Sequence, residues 1–281
     1  MSYTKTFNKL RRRKEKALIP FVVIGDPDFN TSLKIVKTTV GAGADVLELG
    51  CAFSDPIADG STIQAADVRA LSKGANMDKN FKFIKKVREF TDIPIGLLVY
   101  YNLIYQRGTK KFFYDCKLAG VTSVLAADVP IEESDDIIQA ARKHKIDTVF
   151  IVSPLTDNKR LKLILKKTKG FVYIVARLGV TGARADMQQS TLKLIKRVKK
   201  QTKLPLCVGF GISKPEHVKE ICKAGADGAI VGSAIVKLIQ NNLKNKSSML
   251  KKIENYVKSL KSATKWINAD FVNQNIKKKE T

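Results

Sequence analysis

The sequence has little of what a metal site, a disulfide-stabilised fold or a membrane span would need. Its 281 residues include two histidines and four cysteines, and no cysteine pair has the C-x-x-C spacing of a zinc site. Cys116, Cys207 and Cys222 lie in apolar patterns, so we expect buried free thiols. No apolar run approaches the roughly 20 residues of a transmembrane helix, and the segment 1–16 is too polar and basic for a secretory signal. We therefore expect a cytoplasmic protein with no membrane association and no bound metal.

Acidic residues are also scarce. The chain has 51 Lys and Arg against 26 Asp and Glu, which gives a formal net charge of +25. The lysines are spread over predicted helix faces, and no run of aromatic residues accompanies them to stack on bases. This distribution favours a solvated basic surface, so we expect no specific nucleic-acid partner. The positive field would still attract anionic, phosphorylated substrates.

What the sequence does contain is a repeated alternation of apolar runs and helical patterns. The runs are continuous rather than alternating, which predicts parallel strands covered on both faces. Eight such strand–helix units predict an α/β fold, a (β/α)₈ TIM barrel over residues 1–260. A doubly wound open sheet is the alternative, although no G-x-G-x-x-G follows the first strand. The strands are predicted near residues 18–24, 44–49, 94–99, 121–126, 147–152, 171–176, 204–208 and 228–232.

Three additions to the plain barrel are predicted. A basic extra helix over residues 3–14 precedes the first strand, and the loops after strands two and six are elongated. In a barrel both of these loops open onto the C-terminal face, where active sites lie. The tail 261–281 is polar and lysine-rich, so we expect it to be loosely ordered.

Two carboxylates near the end of the second strand are the candidate catalytic groups. Glu48 lies in an apolar run, where burial raises a carboxyl pKa towards the working pH of a general acid or base. The alternative for Glu48 is a structural ion pair with a core lysine or arginine. Asp59, in the loop that follows, could accept a hydrogen bond from a substrate N–H, or cap a helix beginning near Thr62. We interpret Asp128, after the fourth strand, as a loop cap.

Glycine-rich segments after the last two strands predict a phosphate site. Gly209–Ser213 and Val231–Val236 follow consecutive strands, and their glycines let backbone N–H groups approach an anion. Gly182 and Ala183 in the strand-six loop could cover the same phosphate. Three aromatic residues at strand ends could either stack on a flat substrate or fill the barrel mouth, namely Phe21, Tyr100 and Tyr173.

The motifs at these positions resemble those of the tryptophan synthase alpha subunit family. The resemblance covers residues 2–260, and its motifs occur in order and at the family spacing. They include Ile19-Pro-Phe-Val22, Leu47-Glu-Leu-Gly50, Phe53-Ser-Asp-Pro-Ile-Ala-Asp-Gly60, Ala127-Asp-Val-Pro-Ile-Glu-Glu-Ser134, Gly179-Val-Thr-Gly182, Gly209-Phe-Gly-Ile-Ser213 and Gly232-Ser-Ala-Ile-Val236.

The resemblance implies a barrel enzyme that cleaves indole-3-glycerol phosphate to indole and glyceraldehyde 3-phosphate by a retro-aldol step. By similarity, Glu48 would transfer protons and Asp59 would hold the indole N–H, with no cofactor in this chain. Phe21 and Tyr173 would bracket the indole, with Tyr100 on the same side. The phosphate would be held by Gly182, Ala183, Gly211, Gly232 and Ser233.

The resemblance also implies a partner, a pyridoxal-phosphate-dependent beta subunit that receives the indole in an α2β2 assembly. Ala52 and Ser61 replace two prolines usual in the family, so we expect the strand-two loop to be more mobile when free. Two alternatives remain open: an activating subunit with little catalysis of its own, and another phosphosugar barrel enzyme. The residues expected at the partner interface are Asp55, Pro56, Asn102, Pro130 and Thr181.

Overall fold

The strands form one parallel sheet that closes on itself. The computed structural model describes residues 2–175 and 184–265. Hydrogen-bonded strands follow the order β5-β4-β3-β2-β1-β9-β8-β7-β6, and β5 and β6 are two halves of the run 147–152. The predicted eight-stranded TIM barrel is therefore confirmed, with its fifth strand interrupted. The strands are β1 (Ala17–Val23), β2 (Leu47–Gly50), β3 (Ile95–Val99), β4 (Ser123–Ala126), β5 (Asp147–Thr148), β6 (Ile151–Val152), β7 (Val172–Val175), β8 (Leu206–Gly209) and β9 (Gly228–Val231).

Helices surround the barrel, and two of them lie in the elongated connection after β2. None of the described helices is long and apolar enough to cross a membrane. The α-helices are α1 (Tyr3–Arg12), α2 (Phe29–Gly41), α3 (Ser61–Ser72), α4 (Met77–Arg88), α5 (Tyr101–Arg107), α6 (Thr109–Ala119), α7 (Asp135–Lys143), α8 (Asn158–Lys167), α9 (Arg184–Lys199), α10 (Pro215–Lys223), α11 (Ser233–Gln240) and α12 (Lys246–Ala263), with a 3₁₀ turn at Ile131–Glu133.

The extra helix α1 closes the N-terminal end of the barrel. Its apolar face joins the barrel interior through Tyr3, Phe7 and Leu10, which pack with side chains such as Ile19. The Tyr3 hydroxyl lies 2.7 Å from the hydroxyl oxygen of Ser123 on β4. Because this end is plugged by buried side chains, a substrate enters the barrel from the opposite, C-terminal end.

Strand periodicity orients Glu48 towards the interior. Leu47 and Leu49 pack in the layer between barrel and helices, so the residue between them faces the other way. In the parallel register Glu48 lies opposite Phe21 of β1 and Gly96 of β3. The short strand β2 therefore places a carboxylate beside an aromatic ring inside the barrel.

The last described helix extends slightly beyond the predicted end of the barrel at residue 260. Ala263 and Thr264 are buried, and the Lys261 ammonium pairs with Glu15 at 3.0 Å and with Asp45 at 2.8 Å. The remainder of the predicted loose tail, residues 266–281, and most of the strand-six loop, residues 176–183, lie outside the described residues. Cys116, Cys207 and Cys222 are buried and unpaired, as expected, and Cys51 is buried and unpaired as well.

Candidate functional site

A cavity opens at the C-terminal end of the barrel, between the strand-two loop and the glycine loops after β8 and β9. One side carries two carboxylates, and the other carries the two glycine-rich turns. The lining residues come from six segments that are far apart in sequence, so only the closed barrel brings them together. They are Phe21, Glu48, Asp59, Gly60, Ile63, Leu98, Tyr173, Phe210, Gly211, Ile212, Ser213, Ile230, Gly232, Ser233 and Ala234.

Glu48 is a buried carboxyl without a partner among the described side chains. It is 5% exposed, and no described residue forms an ion pair or hydrogen bond with it, so the alternative of a core ion pair is not realised there. Burial, and secondarily the nearby charge of Asp59, raises the pKa of Glu48 to about 8. At neutral pH the group therefore holds a proton that it can give up and recover, as a general acid and base must.

Asp59 is held in place by a tyrosine behind it. The Tyr100 hydroxyl donates to Asp59 Oδ2 at 2.7 Å and accepts from the Ala58 N–H at 3.0 Å. The ring of Phe53 stacks on Tyr100, with centroids 5.0 Å apart. The N-cap of α3 is Gly60, which makes no side-chain capping bond, so Asp59 is not engaged in capping. Burial raises the pKa of Asp59, and the Tyr100 hydrogen bond opposes that rise.

Tyr100 itself does not line the cavity. It is 2% exposed, and its hydroxyl is used in orienting Asp59. Of the three predicted aromatic residues, the structure therefore brings Phe21 and Tyr173 to the cavity and places Tyr100 behind it.

Glycines on neighbouring strands make room for the two lining rings. A Cβ added at Gly50 would lie 2.6 Å from Cζ of Phe21, and one at Gly232 would lie 3.2 Å from Cδ1 of the same ring. A Cβ at Gly209 would overlap the hydroxyl of Tyr173. The three glycines thus leave space for two aromatic rings in the barrel mouth, which suits a flat apolar ligand.

The opposite side of the cavity has the features of an anion site. Gly211 has φ +75°, a left-handed conformation that favours glycine. Ser233 is the first residue of α11, whose first turn contains no acidic residue, and both Gly232 and Ser233 line the cavity. The N-terminal end of a helix carries partial positive charge and free N–H groups, which bind phosphate. The other predicted phosphate residues, Gly182 and Ala183, lie outside the described residues.

The residues predicted to contact a partner lie on loops and helix ends around this mouth. Asp55, Asn102 and Pro130 are exposed, and Pro56 is partly buried. Thr181 lies outside the described residues. The four described positions belong to the connections after β2, β3 and β4, so they border one side of the cavity opening.

Two exposed apolar residues, on the loops after β2 and β6, were missed from the sequence. Ile57 is 85% exposed and Leu155 is 95% exposed. Single apolar residues in loops carry no periodic signal, so neither could be singled out.

Asp128, in the loop after β4, accepts a hydrogen bond from the N–H of Tyr101 at 2.8 Å. Its interpretation as a cap is therefore confirmed.

An ion pair at the base of the strand-two loop was also missed. Arg69 on α3 donates two hydrogen bonds to the buried carboxylate of Asp26, at 2.6 and 2.9 Å. Because Asp26 follows β1, this pair holds α3 against the barrel and so fixes one end of the loop that carries Asp59.

Asp67, on the same helix, is 4% exposed, and burial raises its pKa to about 8. Within residues 2–175 and 184–265, no group of three or more His, Cys, Asp or Glu could hold a metal ion.

Comparisons with known proteins agree on one family. The family model described as "Tryptophan synthase alpha chain" matches residues 7–265. A relative of that name from Methanothermobacter thermautotrophicus is 53% identical over 263 residues, covering 94% of this chain and 96% of the relative. One from Helicobacter pylori strain J99 is 47% identical over 258 residues, covering 92% of this chain and 98% of the relative.

Solved structures give the same result. The tryptophan synthase alpha subunit of Legionella pneumophila superposes with a TM-score of 0.86 at 32% identity, covering 94% of this chain and 98% of that one. A chain from the mutually activating tryptophan synthase α2β2 complex of Pyrococcus furiosus superposes with a TM-score of 0.81 at 38% identity, covering 88% and 98%.

Proposed function

Because this chain belongs to the tryptophan synthase alpha chain family, we propose that Glu48 and Asp59 are the catalytic groups of its reaction. The chain cleaves indole-3-glycerol phosphate to indole and glyceraldehyde 3-phosphate in L-tryptophan biosynthesis, and the indole passes to a beta subunit in an α2β2 assembly. We propose further that the reaction is a carbon–carbon lyase step catalysed by Glu48 and Asp59.

Proton transfer by Glu48 accounts for both halves of the cleavage. The protonated carboxyl gives its proton to carbon 3 of the indole, which makes the ring a cationic indolenine tautomer. The carboxylate then takes the proton of the adjacent side-chain hydroxyl. As that C=O bond forms, the carbon–carbon bond breaks, its electron pair restores the aromatic indole, and Glu48 is left protonated for the next cycle. A pKa near 8 suits both directions of transfer.

Asp59 stabilises the intermediate charge. Its carboxylate accepts the indole N–H, whose positive charge grows when carbon 3 is protonated, and a preoriented carboxylate is most effective for such a developing charge. The Tyr100 hydroxyl fixes its orientation and favours its ionised form. Phe21 and Tyr173 bracket the indole ring.

The glycine loops bind the other end of the substrate. Gly211, Gly232 and Ser233, together with Gly182 and Ala183 from the strand-six loop, hold the phosphate mainly through backbone N–H groups. No cofactor takes part in this chain's step, and the protein acts in the cytoplasm. Asp55, Pro56, Asn102, Pro130 and Thr181 form part of the surface that meets the beta subunit.

One observation supports this proposal above the others. An unpaired buried glutamate and a tyrosine-oriented aspartate line the same cavity, opposite two glycine-rich turns. A phosphosugar enzyme of another type would need the phosphate turns but not this pair of carboxyls. The arrangement therefore favours the retro-aldol assignment over another phosphosugar barrel.

The test is indole release from indole-3-glycerol phosphate, with and without added beta subunit. We expect Glu48→Gln to lower kcat by about 10²- to 10⁴-fold, the scale of lost general acid–base catalysis. Asp59→Asn should lower kcat by about 10²- to 10³-fold, the scale of lost electrostatic stabilisation, and both variants should stay folded. Glu133→Gln, an exposed carboxyl on the same face, is the matched control and should keep full activity. Retained turnover in both site variants would refute the roles. If the wild type only stimulates the beta subunit and releases no indole, the activating-subunit alternative is correct.

A further inference from the structure

The N-terminal end of the barrel concentrates unpaired positive charge around α1. On one side of this helix a groove is lined by residues that include Lys5, Lys9, Arg12 and Arg13. On the other side a groove includes Arg11, Lys166, Lys169 and Lys203. We call these eight residues, four from each groove, the α1 basic surface. None of them forms an ion pair with another described residue.

Little negative charge opposes the α1 basic surface. The carboxylates lining the two grooves are Asp45 and Asp147. Asp45 is already engaged, because it pairs with Lys261 at 2.8 Å and accepts the Leu18 N–H at 2.8 Å. Burial raises the pKa of Asp147, whereas the nearby charge of Lys169 lowers it, so this carboxylate offsets part of the positive charge of Lys169. Lys169 and Arg13 are each close enough to a carboxylate, Asp147 and Glu15 respectively, to interact with its charge. The other six cations of the surface remain available to an external anion.

The shape of this surface fits an extended polyanion. The ten residues of α1 span about 15 Å at 1.5 Å per residue, and cations flank the helix on both sides along this length. A single phosphate would meet only a few of these charges. A chain of phosphates laid along the helix would meet cations from both grooves.

The exposed face of α1 argues for a nucleic acid and against a lipid surface. A helix that binds a bilayer inserts a free apolar face, but the apolar face of α1 is packed into the barrel through Tyr3, Phe7 and Leu10. The outward residues are hydrophilic, among them Thr4, Asn8 and the cations of the surface. No exposed aromatic residue of α1 is available to stack on bases, so binding would be directed to the phosphates.

We propose that the α1 basic surface binds single-stranded RNA through its phosphates, without sequence preference, at the end of the barrel remote from the active site. Such binding depends strongly on salt, because each neutralised phosphate releases counterions. It also leaves the mouth of the barrel free, so cleavage and RNA binding are independent of each other.

The experiment compares two variants of equal net charge. The first carries Arg11→Gln, Lys166→Gln, Lys169→Gln and Lys203→Gln. The matched control carries Lys34→Gln, Lys82→Gln, Lys85→Gln and Lys86→Gln, which removes four exposed lysines from the outer faces of α2 and α4. Binding of a fluorescent oligouridylate of about 20 nucleotides, long enough to cross the surface, is measured by anisotropy as salt increases. Phosphatidylserine vesicles are tested in parallel.

We expect the first variant to bind RNA at least about tenfold more weakly, with the slope of log affinity against log salt reduced by up to about 3, since each single-strand phosphate contributes about 0.7. The control should change far less, and indole release should be unaffected in both variants. Equal weakening of the two variants would assign the binding to the overall charge and overturn the proposal. Binding to the vesicles with no binding to RNA, or no RNA binding by the wild type at low salt, would also overturn it.

Discussion

The buried carboxyl of Glu48 makes the free energy of unfolding depend on pH in a way that can be measured. Its pKa is raised from 4.5 to about 8 in the folded chain, so the folded state binds this proton more tightly than the unfolded state. Below pH 4.5 both states are protonated and the group has no effect. As the pH rises from 4.5 towards 8, the folded protein loses stability relative to the unfolded chain, and above 8 the loss is complete.

The size of the effect follows from the pKa difference. A rise from 4.5 to about 8, at about 1.4 kcal/mol per pH unit, amounts to about 5 kcal/mol at pH 8 and above. This is comparable to the whole free energy of unfolding of a small domain. Glu48→Gln keeps the shape of the side chain and removes its titration. We therefore expect this variant to be more stable than the wild type at alkaline pH.

The measurement is urea unfolding of both proteins between pH 5 and pH 8.5, without ligand. The difference in free energy of unfolding should grow by about 1.4 kcal/mol per pH unit over this range and level off near pH 8. Glu133→Gln, which removes an exposed carboxyl outside the cavity, is the matched control. In an Asp59→Asn background the growth should level off at a lower pH, because the Asp59 charge is the second cause of the raised pKa. A Glu48→Gln difference that stays constant from pH 5 to 8.5 would refute the reasoning.

Three further substitutions test how the site is held. Tyr100→Phe removes the hydroxyl that donates a hydrogen bond to Asp59. Loss of a hydrogen bond to a charged group should lower kcat/KM by about tenfold to a hundredfold. The acidic limb of the pH profile of kcat/KM should move to higher pH, because this hydrogen bond lowers the pKa of Asp59. Gly209→Ala places a methyl group where the Tyr173 hydroxyl lies; the unfolding free energy should fall by about 1–3 kcal/mol and the KM for substrate should rise, and an unchanged KM would contradict this contact. Ser61→Pro restores a ring at the first residue of α3, after a Gly60 whose ψ of 163° suits a following proline; urea unfolding should show a gain of about 0.4–1 kcal/mol.

Much of the fold could be predicted because each strand is a continuous apolar run between glycine-rich turns. The exception is the fifth strand, where one apolar run becomes β5 and β6. Its first half pairs only with β4 and its second half only with β7. The sequence could not predict that the strand changes its pairing partner here, because Val149 and Phe150, which lie between the two halves, are as apolar as their neighbours.

The candidate site could be predicted only in part. Glu48 stood out because a charged residue in an apolar strand breaks the pattern, and the period of two already directed it away from Leu47 and Leu49. The support of Asp59 by Tyr100 was not visible, since the two residues are separated by two helices and a strand. The Arg69–Asp26 pair was missed for the same reason, because a contact between distant segments leaves no local signal.

The role predicted for Gly232 from the sequence, contact with a phosphate, was too narrow. From the sequence, Gly232 was a phosphate contact, since a glycine after the last strand lets N–H groups approach an anion. In the structure it also lies against the Phe21 ring, as Gly50 does from the other side. The residue therefore borders both the anion end and the aromatic end of the cavity. A Cβ there would lie 3.2 Å from Cδ1 of the Phe21 ring, so we propose that the lack of a side chain at Gly232 serves both the aromatic end and the anion end of the cavity.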